Sequence, residues 1–303
     1  MMEIKKFKVG NYHAEVTAFL GDSGVEVEAK PAVVICPGGS YMYVSKREAE
    51  PAAYEFLAQG YQVFILRYST IGTRLEARGK EATRDEMYKI AAWIEPEEIL
   101  GSEFPNPLIE LALTMTHIRE NIHEYNVDAD NIGVLGFSAG GHLAASLGVH
   151  WDQAWLSERI GKESRWYRPN FQVLSYPILD YDLNRIIAEE RGIGDPKYMS
   201  MASRMVFGKS IEADTLDKAT VKNYVSENTP PTFIWHTGED KLVFIKNALD
   251  FADALERHSV PWELHTFHKG DHGLSTATKI TGKINTHVQK WVPLMFEWLE
   301  DIK

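Results

Sequence analysis

Short runs of β-branched and aromatic residues recur along the chain, each followed by Gly, Pro or Asp and then by apolar residues at helical spacing. The clearest are Ala32 to Cys36, Gln62 to Tyr68, Asn131 to Phe137, Phe171 to Tyr176, Pro231 to His236 and Trp262 to Phe267. Val63-Phe64-Ile65-Leu66 and Ile132-Gly133-Val134-Leu135 are nearly continuous in apolar character, as strands covered on both faces must be. Alternation of such strands with helices predicts an α/β fold around a mostly parallel sheet.

The segments between them carry the helices. Ala49, Ala53, Phe56 and Leu57 form one apolar face, with Gly60 as its C-terminal cap. Asn106 is placed to cap a second helix with Pro107 at its first position, followed by the stripe Leu108, Leu111, Ala112, Met115, Ile118 and Ile122. Val243, Asn247, Ala248, Phe251, Ala252 and Leu255 predict a third. Trp291, Met295, Trp298, Leu299 and Ile302 predict a last one, which Pro293 must enter in its first turn or kink. Two stretches break the alternation, about 71–104 and 180–227. Each is too long for a structureless loop in a compact domain, so each is expected to hold helices and to lie cap-like over one end of the sheet. With no internal repeat or low-complexity linker, residues 1–303 read as a single domain.

Composition narrows the function. The chain is 44% hydrophobic and 25% charged, enough for a large core. A net charge of -11 without a dense Lys/Arg cluster excludes nucleic acid as an expected partner. No uncharged apolar run approaches the ~20 residues of a membrane span, and Met1 to Lys8 lead into polar sequence and not into an apolar core, so no membrane span and a cytoplasmic location are expected. The single cysteine, Cys36, fits a reducing compartment, and within Val33-Val34-Ile35-Cys36 it reads as buried and inert.

The chemistry concentrates in Gly136-Phe137-Ser138-Ala139-Gly140, a G-x-S-x-G between a strand and a small-residue helix. An abrupt strand-to-helix turn leaves a serine hydroxyl exposed at a helix N-terminus, where unpaired N–H groups favour an oxyanion. The alternative is a tight turn whose serine merely caps. A serine nucleophile needs a base, and the base needs a carboxylate to fix its tautomer. Asp240 follows the strand ending at His236, with an N-cap role as its alternative and Glu239 as the fallback acid. Among the five histidines after Asp240 (His258, His265, His268, His272 and His287), His272 alone sits in a turn-rich loop beyond the last strand and is the expected base; a surface-turn histidine is its alternative. His142, four positions after the serine, is expected to pack, and Asp271 to serve the turn. Pro37-Gly38-Gly39-Ser40-Tyr41 offers further N–H donors, unless it is an ordinary Gly-rich turn.

Taken in order, Pro37-Gly38-Gly39-Ser40-Tyr41, Leu66-Arg67-Tyr68-Ser69, Gly136 to Ala144, Tyr176-Pro177, Gly238-Glu239-Asp240 and Asp271-His272-Gly273 resemble the acetyl-esterase and xylan-esterase-like branch of the α/β hydrolases, relatives of hormone-sensitive-lipase-type carboxylesterases. The resemblance implies an eight-stranded, mostly parallel sheet with helices on both faces. It also implies a cofactor-free acyl-enzyme mechanism and an oxyanion hole from the N–H groups of Gly39, Ser40 and Ala139. The chain departs from the family's His-Gly-Gly-Gly with Pro37 and Ser40, and its 71–104 insertion is longer than usual. The expected function is hydrolysis of small acyl esters, acetyl esters first among them, of a small-molecule or carbohydrate alcohol by Ser138, Asp240 and His272. Tyr41, Trp151, Trp155, Met199 and Met201 are candidates to line the pocket. An amidase, formamidase or peptidase with the same triad, or a binding module on the same scaffold, stands as the alternative. No metal-ligand spacing such as H-E-x-x-H is present, so no metal is expected. Oligomeric state leaves no mark in the sequence.

Overall fold

The computed structural model describes residues 2–21, 28–81, 83–93, 101–208 and 211–302. Positions 82, 94–100 and 209–210, which belong to the two expected insertions, lie outside the described residues. Eight strands form one sheet: β1 (Met2–Lys8), β2 (Glu15–Gly21), β3 (Lys30–Cys36), β4 (Gln62–Arg67), β5 (Val127–Phe137), β6 (Gln172–Ser175), β7 (Thr232–Thr237) and β8 (Trp262–Phe267). Their order is β1-β2-β4-β3-β5-β6-β7-β8; β1 and β2 pair antiparallel with each other and β2 with β4, and every other pairing is parallel. This is the α/β-hydrolase sheet that the motifs implied.

Alternation along the strands divides the core in two. Val34, Phe64, Val134, Leu174 and Ile234 face one way, and pack with α4 (Asn106–Glu120), α6 (Ala139–His150) and α11 (Lys246–Arg257). Their sequence neighbours Val33, Ile35, Val63, Leu135, Val173, Phe233 and Trp235 face the other, against α1 (Glu50–Ala58) and α12 (Trp291–Asp301). The expected helices all form, but Asn106 is the first residue of α4 and not its cap: Pro105 holds the N-cap position, no side chain caps the helix, and Ile122 lies beyond its end. Pro293 falls in the first turn of α12, where its missing N–H is not needed, and α11 begins three residues after Val243.

The remaining helices are α2 (Ile71–Glu76), α3 (Arg84–Trp93), α5 (Ile122–Tyr125), α7 (Ala154–Ile160), α8 (Tyr181–Arg191), α9 (Pro196–Phe207) and α10 (Ala213–Ala219). Residues 71–93 thus supply α2 and α3, and the 180–227 segment supplies α8 to α10, so both irregular stretches are largely helical where described. Cys36 lies at the end of β3 with no exposed surface, and burial pushes its thiol far above the usual range. Among the described residues no helix is long and apolar enough to cross a membrane.

Candidate active site

Ser138 follows β5 directly and precedes the first residue of α6. Its backbone is held at φ 54, ψ −116, in a region that non-glycine residues enter only when the surroundings force them. The forcing is visible on both sides. The Ser138 N–H donates to Ser175 O of β6 at 2.9 Å, and the Ser138 carbonyl accepts from His142 N at 3.1 Å. A Cβ on Gly140 would sit 1.9 Å from Cys36 O, and one on Gly136 would sit 2.1 Å from Gly140 O, so any side chain at these two positions would push the elbow apart.

The hydroxyl so presented meets His272. Ser138 Oγ lies 2.8 Å from His272 Nε2, and His272 Nδ1 lies 2.6 Å from Asp240 Oδ2. An ionised carboxylate only accepts, so these partners assign the Nδ1–H tautomer and leave Nε2 free to accept the serine proton. Asp240 stands three residues beyond β7. Its Oδ1 accepts from the N–H groups of Leu242 and Val243, both at 2.9 Å. Burial alone would push its carboxyl up, but His272, His236 and the Val243 N–H together hold it below the usual carboxylate range. Glu239 does not compete: it is exposed and accepts the Gly270 N–H at 3.2 Å. The Asp240 side chain therefore orients His272 with one oxygen and holds the following turn with the other; it caps no helix, because α11 begins at Lys246 with Ile245 as its N-cap.

The glycine loop after β3 lies against the elbow. A Cβ on Gly38 would stand 3.0 Å from Ser138 Cβ. Gly39, at φ 131, is pressed against Tyr43 O, and Ser40 and Tyr41 follow at φ 56 and 57. Among the described residues no acceptor pairs with the backbone N–H of Gly39, Ser40 or Ala139. Three unpaired donors on the loop and elbow around the cavity-lining Ser138 could hold an oxyanion.

A cavity of about 900 Å³ opens above Ser138. Its floor is Ser40, Ser138 and Ala139; its walls are Tyr181, Arg185 and Ala188 of α8, Tyr198, Met199 and Ala202 of α9, and Val243. Ser40 Oγ shares a hydrogen bond with the Tyr198 hydroxyl, tying α9 to the glycine loop. Of the five pocket candidates, Met199 lies in the wall and the other four do not. Tyr41 is buried beneath the floor, its hydroxyl 2.8 Å from His142 Nδ1. Trp151 donates to Asn228 O at 3.0 Å and faces Arg168, Trp155 packs on Phe104 and His150, and Met201 packs against the main core. These tryptophans follow the far end of α6, a whole helix away from Ser138, which linear proximity to the motif concealed. His142 packs as expected: its Nε2 bonds Ala219 O at 2.9 Å, and burial lowers its pKa to about 4. The wall residues Tyr181, Arg185 and Tyr198 had no motif to mark them.

Residues 88–255, more than half of the chain, match the family model described as BD-FAE, which is of the α/β-hydrolase type. The chain belongs to the BD-FAE family. Among curated proteins it is 29% identical over 249 residues to endo-1,4-beta-xylanase B of Butyrivibrio fibrisolvens, an alignment covering 82% of this chain and 33% of that protein. It is 25% identical over 170 residues to an acetylxylan esterase of Xylanibacter ruminicola, covering 53% and 29%. This BD-FAE chain thus spans about a third of the length of the curated relatives it matches. Among solved structures, a carboxylesterase from Lactobacillus plantarum superposes with TM-score 0.76 at 25% identity, covering 99% of this chain and 97% of that one. An acetyl ester-xyloside bifunctional hydrolase from Caldicellulosiruptor lactoaceticus superposes with TM-score 0.72 at 27% identity, covering 95% and 88%. The esterases among these relatives and neighbours are named as ester hydrolases, and this chain shares their α/β-hydrolase fold.

Proposed function

We propose that the protein is a serine carboxylesterase that removes small acyl groups, acetyl above all, from carbohydrate alcohols through an acyl-enzyme. The observation that carries the reading is the hydrogen-bonded line from Ser138, which lines the cavity, through His272 to Asp240. In this reading Ser138 Oγ attacks the ester carbonyl while His272 Nε2 takes its proton. The tetrahedral oxyanion is held by the N–H groups of Gly39, Ser40 and Ala139. Imidazolium then protonates the leaving alcohol, and water repeats the sequence in reverse to free the acid. Asp240 keeps the ring in the Nδ1–H tautomer and stabilises the transient positive charge.

The cavity supports the substrate class. About 900 Å³ far exceeds an acetyl group, and its walls carry Arg185, Ser200, Ser203 and Arg204 among apolar residues, a lining suited to a bulky polyhydroxylated alcohol. The named activities of the acetylxylan esterase and of the acetyl ester-xyloside hydrolase support the same choice. In the same reading residues 1–303 are one folding unit in which 180–227 walls the cavity and 71–104 packs behind that wall, Tyr88 against Tyr198, and the protein is cytoplasmic, where Cys36 stays reduced.

The test is hydrolysis of p-nitrophenyl esters from acetate to octanoate, with acetylated xylo-oligosaccharides and matching anilides alongside, by wild type and Ser138→Ala. The expected outcome is a rate highest on acetate, acetate release from the oligosaccharides, no anilide turnover, and a loss of ~10³-fold or more in the variant. Anilide turnover without ester turnover would replace the esterase by an amidase, and no turnover of either by a binding module.

A further inference from the structure

A carboxylate outside the triad connects the glycine loop after β3 to the loop that carries His272. Glu48 lies in the short 3-10 turn Lys46–Glu48 that follows the glycine loop, 4% exposed, with both carboxylate oxygens engaged. Oε2 accepts the Gly38 N–H at 2.9 Å. Oε1 accepts the Tyr176 hydroxyl at 2.7 Å. The same Tyr176 oxygen accepts the Ser275 N–H at 3.0 Å, and its ring stands edge-on to His272 with centroids 5.0 Å apart. The neighbouring Arg47 completes the tie: its guanidinium donates to Gly273 O, and its carbonyl accepts the Ser275 hydroxyl at 2.7 Å.

We propose that Glu48 is a positioning residue that fixes the donor loop Gly38 to Ser40 and the loop of His272 in register with each other across Ser138. The inference rests on the reading of Ser138 and His272 as nucleophile and base. Both loops need such a tie. Ser40, Tyr41, Tyr176 and Ser275 all stand at positive φ, which an unsupported chain would relax. Gly38 is wedged between the Glu48 carboxylate and Ser138, since a Cβ there would lie 2.8 Å from Glu48 Oε2 and 3.0 Å from Ser138 Cβ. A displacement of the carboxylate therefore moves the start of the donor loop relative to the nucleophile. On the other side Tyr176 transmits the same displacement to Ser275 and the His272 ring. The oxyanion and imidazolium form together in the transition state, so a group that sets the spacing of their two supports acts on turnover more than on ground-state binding.

Glu48→Gln tests this, because a carboxamide has one acceptor oxygen for two donors that both need one. Tyr176→Phe, which removes the bridging hydroxyl and keeps the ring, serves as the second variant should the first fail to fold. Steady-state kinetics on p-nitrophenyl acetate, with folded enzyme counted by active-site titration, should show kcat lowered about 10–10²-fold in each variant with KM within about twofold. The double variant should lose little more than the worse single one, because both break one chain of bonds. Unchanged kcat, a loss confined to KM or to thermal stability, or fully additive losses would overturn the positioning role. Ser138→Ala run beside them separates the two levels: activity that depends on Ser138 but not on Glu48 removes this inference alone, whereas activity independent of Ser138 removes the underlying reading as well.

Discussion

At the scale of the residue, Asp240 shows how one side chain settles a question that spacing left open. Glu239 and Asp240 are adjacent after β7, and either could have faced the imidazole. The N–H groups of Leu242 and Val243 draw the Asp240 carboxylate inward and leave Glu239 outside. Asp240→Asn keeps an oxygen for those two donors but presents an amide to His272, so the ring turns over to the wrong tautomer. The expected result is kcat lowered by about 10²–10⁴-fold with the fold retained, read from ester hydrolysis beside circular dichroism. Ser138 and His272 were legible because a strand-turn-helix elbow and a turn-rich loop after the last strand each carry a local signature. Of the cavity wall only Met199 was legible. Tyr198 and Arg185 reach the site through the packing of α8 and α9, and nothing near them in sequence records what they face. Glu48 carried no motif either; its meaning comes from Tyr176, 128 positions away.

At the scale of the element, β3 to β7 were legible as apolar runs that directly record two covered faces, and the half-buried β8 by its β-branched and aromatic residues. β1 escaped because it is the sheet edge: Met2-Glu3-Ile4-Lys5-Lys6-Phe7-Lys8 has no alternation of apolar and polar residues and is mostly exposed, and its partner β2 is buried by the sheet rather than by a recognisable run. The helices of the 180–227 segment were expected only in kind, and α8 shows what fixes them. Asp180 is its N-cap, accepting the Leu183 N–H at 2.9 Å, and it also pairs with Lys222 at 2.8 Å. Its own N–H is held by Asn247 Oδ1 of α11 at 2.9 Å, so α8 is anchored to the body of the fold at its first residue. Asp180→Ala should cost about 1–2 kcal/mol in urea denaturation and raise KM for acetylated oligosaccharides, since α8 forms one wall of the cavity. A variant as stable as wild type would mean that the cap is redundant with the Asn247 contact.

At the scale of the whole molecule, buried ionisable groups set the pH range of stability. Burial lowers His142, His150 and His236 each to about 4, against about 6.5 in the unfolded chain. The unfolded state therefore binds more protons between pH 4 and 6.5, and the stability these groups confer, complete above 6.5, is lost as pH falls through that window. Glu110 of α4 has the opposite sign. Burial raises its carboxyl to about 8 although Ser69 bonds to it through both N–H and hydroxyl, so its contribution is complete below the unfolded value near 4.3 and is lost as pH rises toward 8. Three groups outweigh one on the acid side, which places the optimum near pH 6.5. Urea midpoints should rise from pH 4.5 to 6.5 and decline by pH 8, and Glu110→Gln should abolish the alkaline decline alone; the same decline in the variant would assign it to another group.

The central claim is that Ser138 is the nucleophile of an acyl-transfer site, and intact-protein mass after exposure to a p-nitrophenyl alkylphosphonate tests it most directly. The account predicts one phosphonyl group per chain, located on Ser138, with loss of esterase activity in proportion to labelling and no adduct in Ser138→Ala. An unlabelled wild type that still hydrolyses esters, or an adduct that persists in the variant, would contradict it.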